Sequence, residues 1–298
     1  MKRYFICYLL LLSAVPAWSQ AWESVTADST TFLWGEGWGR SVEEADREAL
    51  TALSSRISVA VVSACSQSEA QVRSSAGDSY RLSLSSRTET YSSVTLSGSH
   101  REVIRSGRRA HVGRWIRRGE LESLFLSRKE RILGYEASAL EAEGECRLDE
   151  ALRCHYWAYV LLKALPDPGG VRPDGGRPLL NEIPERIGAL LDGIDVRVTG
   201  RKGEDLRLQV SFRGRPVEGL DFSYFDGRGW SALTGVRDGS ATVRMAPGAL
   251  AETLQLRIEY AYRSDASMDP ELHDMMNLLR MRPLRKSYIF LPVKDQGL

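Results

Sequence analysis

The sequence is poor in cysteine, and this limits how the fold can be cross-linked. Of its 298 residues four are cysteine: Cys7, Cys65, Cys146 and Cys154. We expect Cys7 to leave with an N-terminal signal, and the three that remain cannot form a complete disulfide framework. Cys146 and Cys154 flank a predicted helix turn and could pair, although helical geometry rarely brings such neighbours within bonding reach.

Histidine is equally scarce, with four residues. None of them stands at metal-ligand spacing from another histidine or from a cysteine, apart from His155, which follows Cys154 directly. Adjacent residues on a helix point about 100° apart, so this pair cannot share one metal ion. The sequence therefore predicts no metal site, no cofactor and no catalytic triad.

The sequence also lacks the ~20 consecutive apolar residues that a membrane-spanning helix needs. Its first residues have another layout: Lys2 and Arg3, a short apolar core that includes Leu9 to Leu12, and a small-x-small site at Ala17-Trp18-Ser19. This order is typical of a secretory signal peptide. We expect residues 1–19 to be cleaved off, and because no cysteine directly follows the apolar core, we expect no lipid anchor.

Neither sign of charge is in excess. Without Lys2 and Arg3 the chain has 38 basic and 39 acidic side chains, so it has no bulk attraction to nucleic acid or to anionic membranes. About 280 residues exceed one ordinary core. After the signal peptide (1–19) we predict four regions: an α/β domain (20–118), a helical hairpin (119–165), a Pro/Gly linker with a short helix (166–194) and a β-sandwich with a C-terminal helix and last strand (195–298).

The most informative stretch runs from Phe32 to Val62. It has an apolar strand end, three alternate glycines, a capping box at Ser41 to Glu44 and an apolar helical stripe. From Ile57 the period changes to two, which predicts a strand. The stretch therefore predicts a strand–helix–strand unit, in which the glycines turn the strand sharply into the helix.

Two motifs in the first domain invite catalytic or phosphate-binding interpretations. The glycine triplet precedes a helix, but Arg40 occupies the position of the third glycine in the dinucleotide fingerprint G-x-G-x-x-G. Gly77-Asp78-Ser79 resembles an esterase nucleophile motif, yet the usual Asp-x-x-His is absent. We interpret the first as tight packing and the second as a loop before a helix.

A hairpin around Ser106-Gly107 is the one local charge anomaly. Between Arg101 and Arg118 seven arginines oppose Glu102 alone. This set predicts either a site for an anionic polymer or acidic partner, or a solvated sheet face with charged edges. The candidate binding residues are Arg101, Arg105, Arg108, Arg109, Arg114, Trp115 and Arg117.

The sequence after the hairpin predicts two helices. A stripe from Leu121 to Cys146 predicts a long helix, and Ala151 to Leu162 line a second one, with Asp149 as its N-cap and Pro166 after its end. The pair is similar to one tetratricopeptide (TPR) unit. A single unit cannot form an array, because such repeats need about three units to bury a core.

The C-terminal region alternates with a period of two. Residues Leu206 to Phe212 and Leu254 to Tyr262 place apolar side chains at every second position, with turn signals at Asp226-Gly227 and Asp238-Gly239. These patterns predict a small Ig-like β-sandwich. The whole chain is thus expected to be α+β and multidomain, with an α/β sandwich module, a TPR-like helical hairpin and a β-sandwich.

The opening stretch resembles the LPP-twenty lipoprotein family and the related N-terminal domain of flagellar assembly protein T. The resemblance covers residues ~31 to ~118. It rests on Gly35-Glu36-Gly37, Ser41 to Ala45, Ala49-Leu50, Leu53 and Arg56 to Val61. It implies a non-enzymatic envelope role with no catalytic residues to transfer. Family members often carry a lipidated cysteine after the signal, and this chain has none.

Three functions follow as hypotheses. The first is a non-enzymatic periplasmic or outer-membrane-associated protein that binds or scaffolds envelope partners or polymer. The second is a hydrolase whose residues converge only in three dimensions, which a cleft joining Asp78, Ser79 and a histidine would support. The third is an architectural subunit of an envelope assembly, which the size of the purified chain would distinguish.

Overall fold

The computed structural model describes residues 17–69, 99–165, 167–173, 176–248, 254–279 and 281–290. The chain divides into two compact units, Met1–Glu122 and Ser123–Leu298. Helices and antiparallel sheets occur together, so the predicted α+β class is confirmed. The finer division into four regions stays a prediction. None of the described helices combines the length and the hydropathy that crossing a bilayer requires.

The described part of the first unit contains a three-stranded antiparallel sheet with a long helix packed on it. Strand β3 is central, with β1 and β2 on either side. The elements are α1 (Ala17–Ala27), β1 (Phe32–Gly39), α2 (Val42–Glu69), β2 (His100–Arg105) and β3 (Ala110–Arg117). The predicted hairpin is confirmed by β2 and β3. The helix predicted after Ser79 lies outside the described residues.

The predicted capping box opens α2. The backbone N–H of Glu44 donates to the Ser41 hydroxyl at 3.2 Å, and the Glu44 carboxylate accepts from the backbone N–H of Arg40 at 2.7 Å. Both bonds satisfy amides at the helix start. The prediction that the helix ends near Ile57 is wrong, because α2 continues to Glu69. Ile57 is fully buried one helical turn after Leu53, so its side chain continues the helical stripe.

The glycines lie inside β1 and do not form the predicted turn. Gly35, Gly37 and Gly39 share one face of the strand, because successive residues alternate between faces. A β-carbon on Gly35 would lie 2.5 Å from the carbonyl oxygen of Ala49 on α2. The glycines therefore let the backbones of β1 and α2 approach to contact distance. Glycine at every second position indicates one face of a strand, so the prediction of a turn was wrong.

The second unit begins within helix α3. Its helices are α3 (Arg118–Gly144), α4 (Leu148–Lys163), α5 (Leu179–Asp192) and α6 (Pro270–Leu278). The two helices predicted between residues 119 and 165 are confirmed by α3 and α4. Tyr135 packs edge-on against Trp157, and Nδ1 of His155 lies 2.8 Å from Oε1 of Glu136. These contacts join α3 to α4.

The start of α4 differs from the prediction that Asp149 caps it. Arg147 occupies the N-cap position, and the backbone N–H groups of Leu148 and Asp149 donate to the carbonyl oxygens of Glu218 and Gly219 at 3.3 and 2.9 Å. Backbone acceptors from a distant loop thus replace a side-chain cap. Cys146 and Cys154, at either side of this helix start, are both free thiols.

The described residues between 194 and 290 include two four-stranded antiparallel sheets. One has the order β11-β10-β7-β8, and in the other β5 pairs with β4, β6 and β9. Their buried side chains alternate along β5 and β10, as predicted. The strands are β4 (Ile194–Lys202), β5 (Asp205–Phe212), β6 (Arg215–Pro216), β7 (Leu220–Phe225), β8 (Thr234–Val236), β9 (Ser240–Arg244), β10 (Leu254–Tyr260) and β11 (Leu284–Phe290).

Candidate functional site

The seven candidate residues of the hairpin separate into two groups. Arg105, Arg108 and Arg109 surround the turn that joins β2 to β3, where Gly107 adopts a φ of 94°. All three arginines are exposed, and the described residues supply no ion pair to any of them. The other four candidates lie further along the strands and have partners.

Arg114 is held by an aspartate of α2. Its Nε and one terminal nitrogen donate to the two carboxylate oxygens of Asp46 at 2.7 and 2.9 Å, and its other terminal nitrogen donates to the Ser99 hydroxyl at 3.1 Å. Arg101 lies 3.4 Å from the same carboxylate. The hydrogen bonds from Arg114 hold the pKa of Asp46 below its ordinary value, against the opposing effect of burial. Through Asp46, these two arginines therefore connect the sheet to α2.

Arg117 and Trp115 also have structural contacts. Arg117 pairs with Glu120 at 3.2 Å. The Trp115 ring stacks on His100, with ring centroids 3.9 Å apart, and meets Phe32 edge-on at 5.2 Å. Both residues face away from α2. They lie opposite Phe32 and Trp34 of β1, which alternate with the glycines that face α2. They belong to an aromatic face of the sheet.

Helix α1 covers part of this aromatic face. Trp22 is buried and packs edge-on against Trp34 at 5.7 Å. A β-carbon on Gly113 would overlap the Trp22 ring, so the glycine admits the indole against the strand. Further along, His111 stacks on Trp38 and its Nε2 lies 3.1 Å from the Glu36 carboxylate. These aromatic side chains are engaged in packing.

One basic residue at the turn was not among the candidates. Gly39 pairs with Ala110, so Arg40 follows β1 at the same end of the sheet as Arg109. The Arg40 side chain is exposed, and the described part of the chain gives it no ion pair. The position of Arg40 near Arg109 follows only from the pairing of β1 with β3, and no local sequence pattern predicts that pairing. We call Arg40, Arg105, Arg108 and Arg109 the arginine tip.

The carboxylates at this end of the sheet are engaged with α2 and β1. Glu44 accepts from the amide of Arg40, and Glu48 accepts from the amide of Trp38 at 3.2 Å. The pKa of Glu43 is lowered by hydrogen bonds to its own amide and to Ser41. The guanidinium groups of the arginine tip thus remain available to an external anion.

The arrangement is suited to recognising anions by hydrogen bonds and charge. A guanidinium group presents donors in a planar fork that matches carboxylate or phosphate oxygens. Among the described residues, no three histidine, cysteine or carboxylate side chains are arranged to hold a metal ion. Gly77-Asp78-Ser79 lies outside the described residues.

Comparison with known proteins adds no assignment to this geometry. Neither the family models, the curated proteins nor the solved structures gave a match to the chain.

Proposed function

We propose that the chain is a non-enzymatic, exported cell-envelope protein that binds an anionic envelope polymer through its arginine tip. The observation that carries this proposal is the exposure of Arg105, Arg108 and Arg109 without ion pairs in the described structure, beside Arg40. Four neighbouring cations repel one another, and an external polyanion relieves that repulsion. Repeated carboxylates or phosphates along a polymer can engage several of them at once.

The proposed cleavage site precedes two buried residues of α1. Cleavage after Ser19 leaves Trp22 and Val25 on the mature chain, and both side chains are buried in the first unit. The signal therefore can be removed without loss of these contacts. We place the mature protein in the periplasm or at the outer membrane, without a lipid anchor.

Two finer features of the fold belong to the same proposal. We assign the first unit to the LPP-twenty-like domains, on the residues given above. We interpret the two C-terminal sheets as an Ig-like sandwich, because β5 and β10 each bury alternate side chains. We interpret α3 and α4 as one TPR-like pair, whose facing side chains are used for packing.

A sedimentation assay with isolated peptidoglycan, a carboxylate-bearing polymer, tests the binding surface. The triple variant Arg105→Ser, Arg108→Ser and Arg109→Ser is expected to lose at least about tenfold in retention, and wild-type retention should fall as salt is raised. A matched triple variant, Arg172→Ser, Arg207→Ser and Arg237→Ser, removes the same charge from exposed positions of the second unit. Equal retention of wild type and the tip variant would refute the proposal.

A further inference from the structure

A cavity of about 450 Å³ lies within the second unit. One wall is a face of α4, on which Tyr156, Tyr159 and Lys163 recur at helical spacing. Helix α5 forms the second wall, and the segment from α6 to β11 forms the third. The volume lies within the range of pockets that hold small organic ligands, ~300–1,000 Å³.

The described side chains that line the cavity are aliphatic or tyrosine, except for two cations. Ile187, Leu279, Met281 and Leu284 supply aliphatic surface, and Lys163 and Arg282 supply positive charge. Among the described residues, no carboxylate lines the cavity, and neither cation has an ion pair. The Lys163 ammonium group lies 5.4 Å from the centre of the Tyr159 ring, a cation–π distance.

Hydrogen bonds hold the walls in place. The Tyr156 hydroxyl donates to the carbonyl oxygen of Arg282 at 2.9 Å, and the Tyr288 hydroxyl donates to the carbonyl oxygen of Leu191 at 2.7 Å. Burial raises the pKa of Tyr156, so the hydroxyl keeps its proton at neutral pH. The first bond ties α4 to the third wall, and the second ties β11 to α5. The cavity is therefore preformed.

We propose that this cavity binds a small amphiphilic anion, with one carboxylate or phosphate group on an apolar body of roughly ten carbons. The aliphatic walls accept the apolar body, while Lys163 and Arg282 bind the anionic group. A neutral apolar ligand would desolvate both cations without supplying a counter-charge, and a cationic ligand would be repelled. The proposal is independent of the arginine tip, which lies in the other unit.

Isothermal titration of the purified chain tests the ligand class. We expect decanoate or decyl phosphate to bind at least about tenfold more tightly than decanol, which lacks the charge, and acetate, which lacks the apolar body, not to bind measurably. Preference between decanoate and decyl phosphate identifies the head group. Equal affinity for decanoate and decanol, or binding of neither anion, would overturn the proposal.

Variants test the two cations. Lys163→Met and Arg282→Gln should each weaken binding about tenfold, because each removes a charge-assisted hydrogen bond. Lys129→Met and Arg172→Gln make the same changes at exposed positions outside the cavity and should bind like wild type. Lys163 also lies at the C-terminus of α4, where a cation stabilises a helix. If that is its only role, Lys163→Met lowers the melting temperature and leaves decanoate affinity unchanged.

Two further measurements locate the ligand. Ile187→Trp fills the cavity and should abolish binding. With ¹³C-methyl-labelled methionine, the Met281 resonance (assigned with Met281→Leu) should shift on addition of decanoate, whereas Met245, buried outside the cavity lining, should not. A binding isotherm that leaves the Met281 resonance unmoved would place the ligand elsewhere and reject this site.

Discussion

The α-carbon of Gly37 lies so close to the carbonyl oxygen of Ala45 that no β-carbon fits between them. Gly37→Ala should therefore force β1 and α2 apart and lower the free energy of unfolding of the first unit by about 3 kcal/mol, because backbone atoms cannot rotate out of the overlap. Urea denaturation followed by tryptophan fluorescence measures the loss.

Gly119→Ala is the matched control for that substitution. Gly119 lies in the first turn of α3, and among the described residues nothing beyond its own helical turn lies within 4 Å of its missing β-carbon. Alanine is the better helix former, so this variant should be unchanged or gain up to about 1 kcal/mol. If both variants denature at the same urea concentration, the close approach of β1 and α2 does not depend on glycine at position 37.

The Asp46–Arg114 pair predicts a specific response to acid. The pKa of Asp46 is lower in the folded chain than its ordinary value of 3.8, chiefly through hydrogen bonds from Arg114. Its stabilisation is complete well above that ordinary value and is lost as the pH falls through the lowered folded-state pKa. Asp46→Asn should cost about 1–2 kcal/mol at pH 7.

The urea midpoints of wild type and Asp46→Asn, measured from pH 7 to pH 2, should therefore converge in acid. A constant difference between the two proteins across this range would show that the carboxylate charge does not contribute.

Glu136 joins three helices in the second unit. One of its oxygens lies 2.8 Å from Nδ1 of His155, and Arg186 of α5 donates to the other at 3.0 Å. His155 is fully buried, and no described group accepts from or donates to its Nε2. Glu136→Ala leaves the imidazole without its partner and should cost about 3 kcal/mol.

Glu182→Ala provides the comparison, because Glu182 pairs with the same arginine at 3.0 Å. Glu182 lies on α5 with access to water, so its removal should cost less than about 1 kcal/mol. Thermal unfolding of both variants, followed by circular dichroism, gives the ranking. A reversed ranking would mean that the buried pair is not a main stabilising contact of these helices.

Cleavage of the signal peptide is directly measurable. Expressed with its full N-terminus in a bacterium, the protein should be recovered from the periplasmic or membrane fraction with Gln20 as its first residue, as intact-mass spectrometry would show. Ala17→Leu should block cleavage, because the site requires a small residue there. Recovery of the uncleaved chain from the cytoplasm would contradict the proposed location.

The features that the sequence predicted correctly are those that local chemistry determines. Ser41 and Glu44 form a capping box wherever a helix begins after them, and the Ser106-Gly107 turn joins adjacent strands. The period of two along β5 and β10 likewise needs only neighbouring residues. Each of these features involves residues a few positions apart.

The features that were missed depend on contacts between distant residues. The alternation after Ile57 fits both a strand and the continuation of a helix, because periodicity over so few apolar residues does not distinguish the two. Arg114 was predicted to be a binding residue, because the sequence does not reveal that its partner is Asp46, which lies far away along the chain. Arg40 joins the arginine tip only through the register of β1 with β3.

The backbone cap of α4 couples the folding of two segments that are distant in the sequence. The amides of Leu148 and Asp149 find their acceptors at Glu218 and Gly219. During synthesis, which proceeds from the N-terminus to the C-terminus, these amides stay hydrated until the loop before β7 has also been made. A fragment that ends at Asp192 contains every residue of α4 and still lacks both acceptors, so α4 reaches its final start only when the first β-strands of the second unit have arrived.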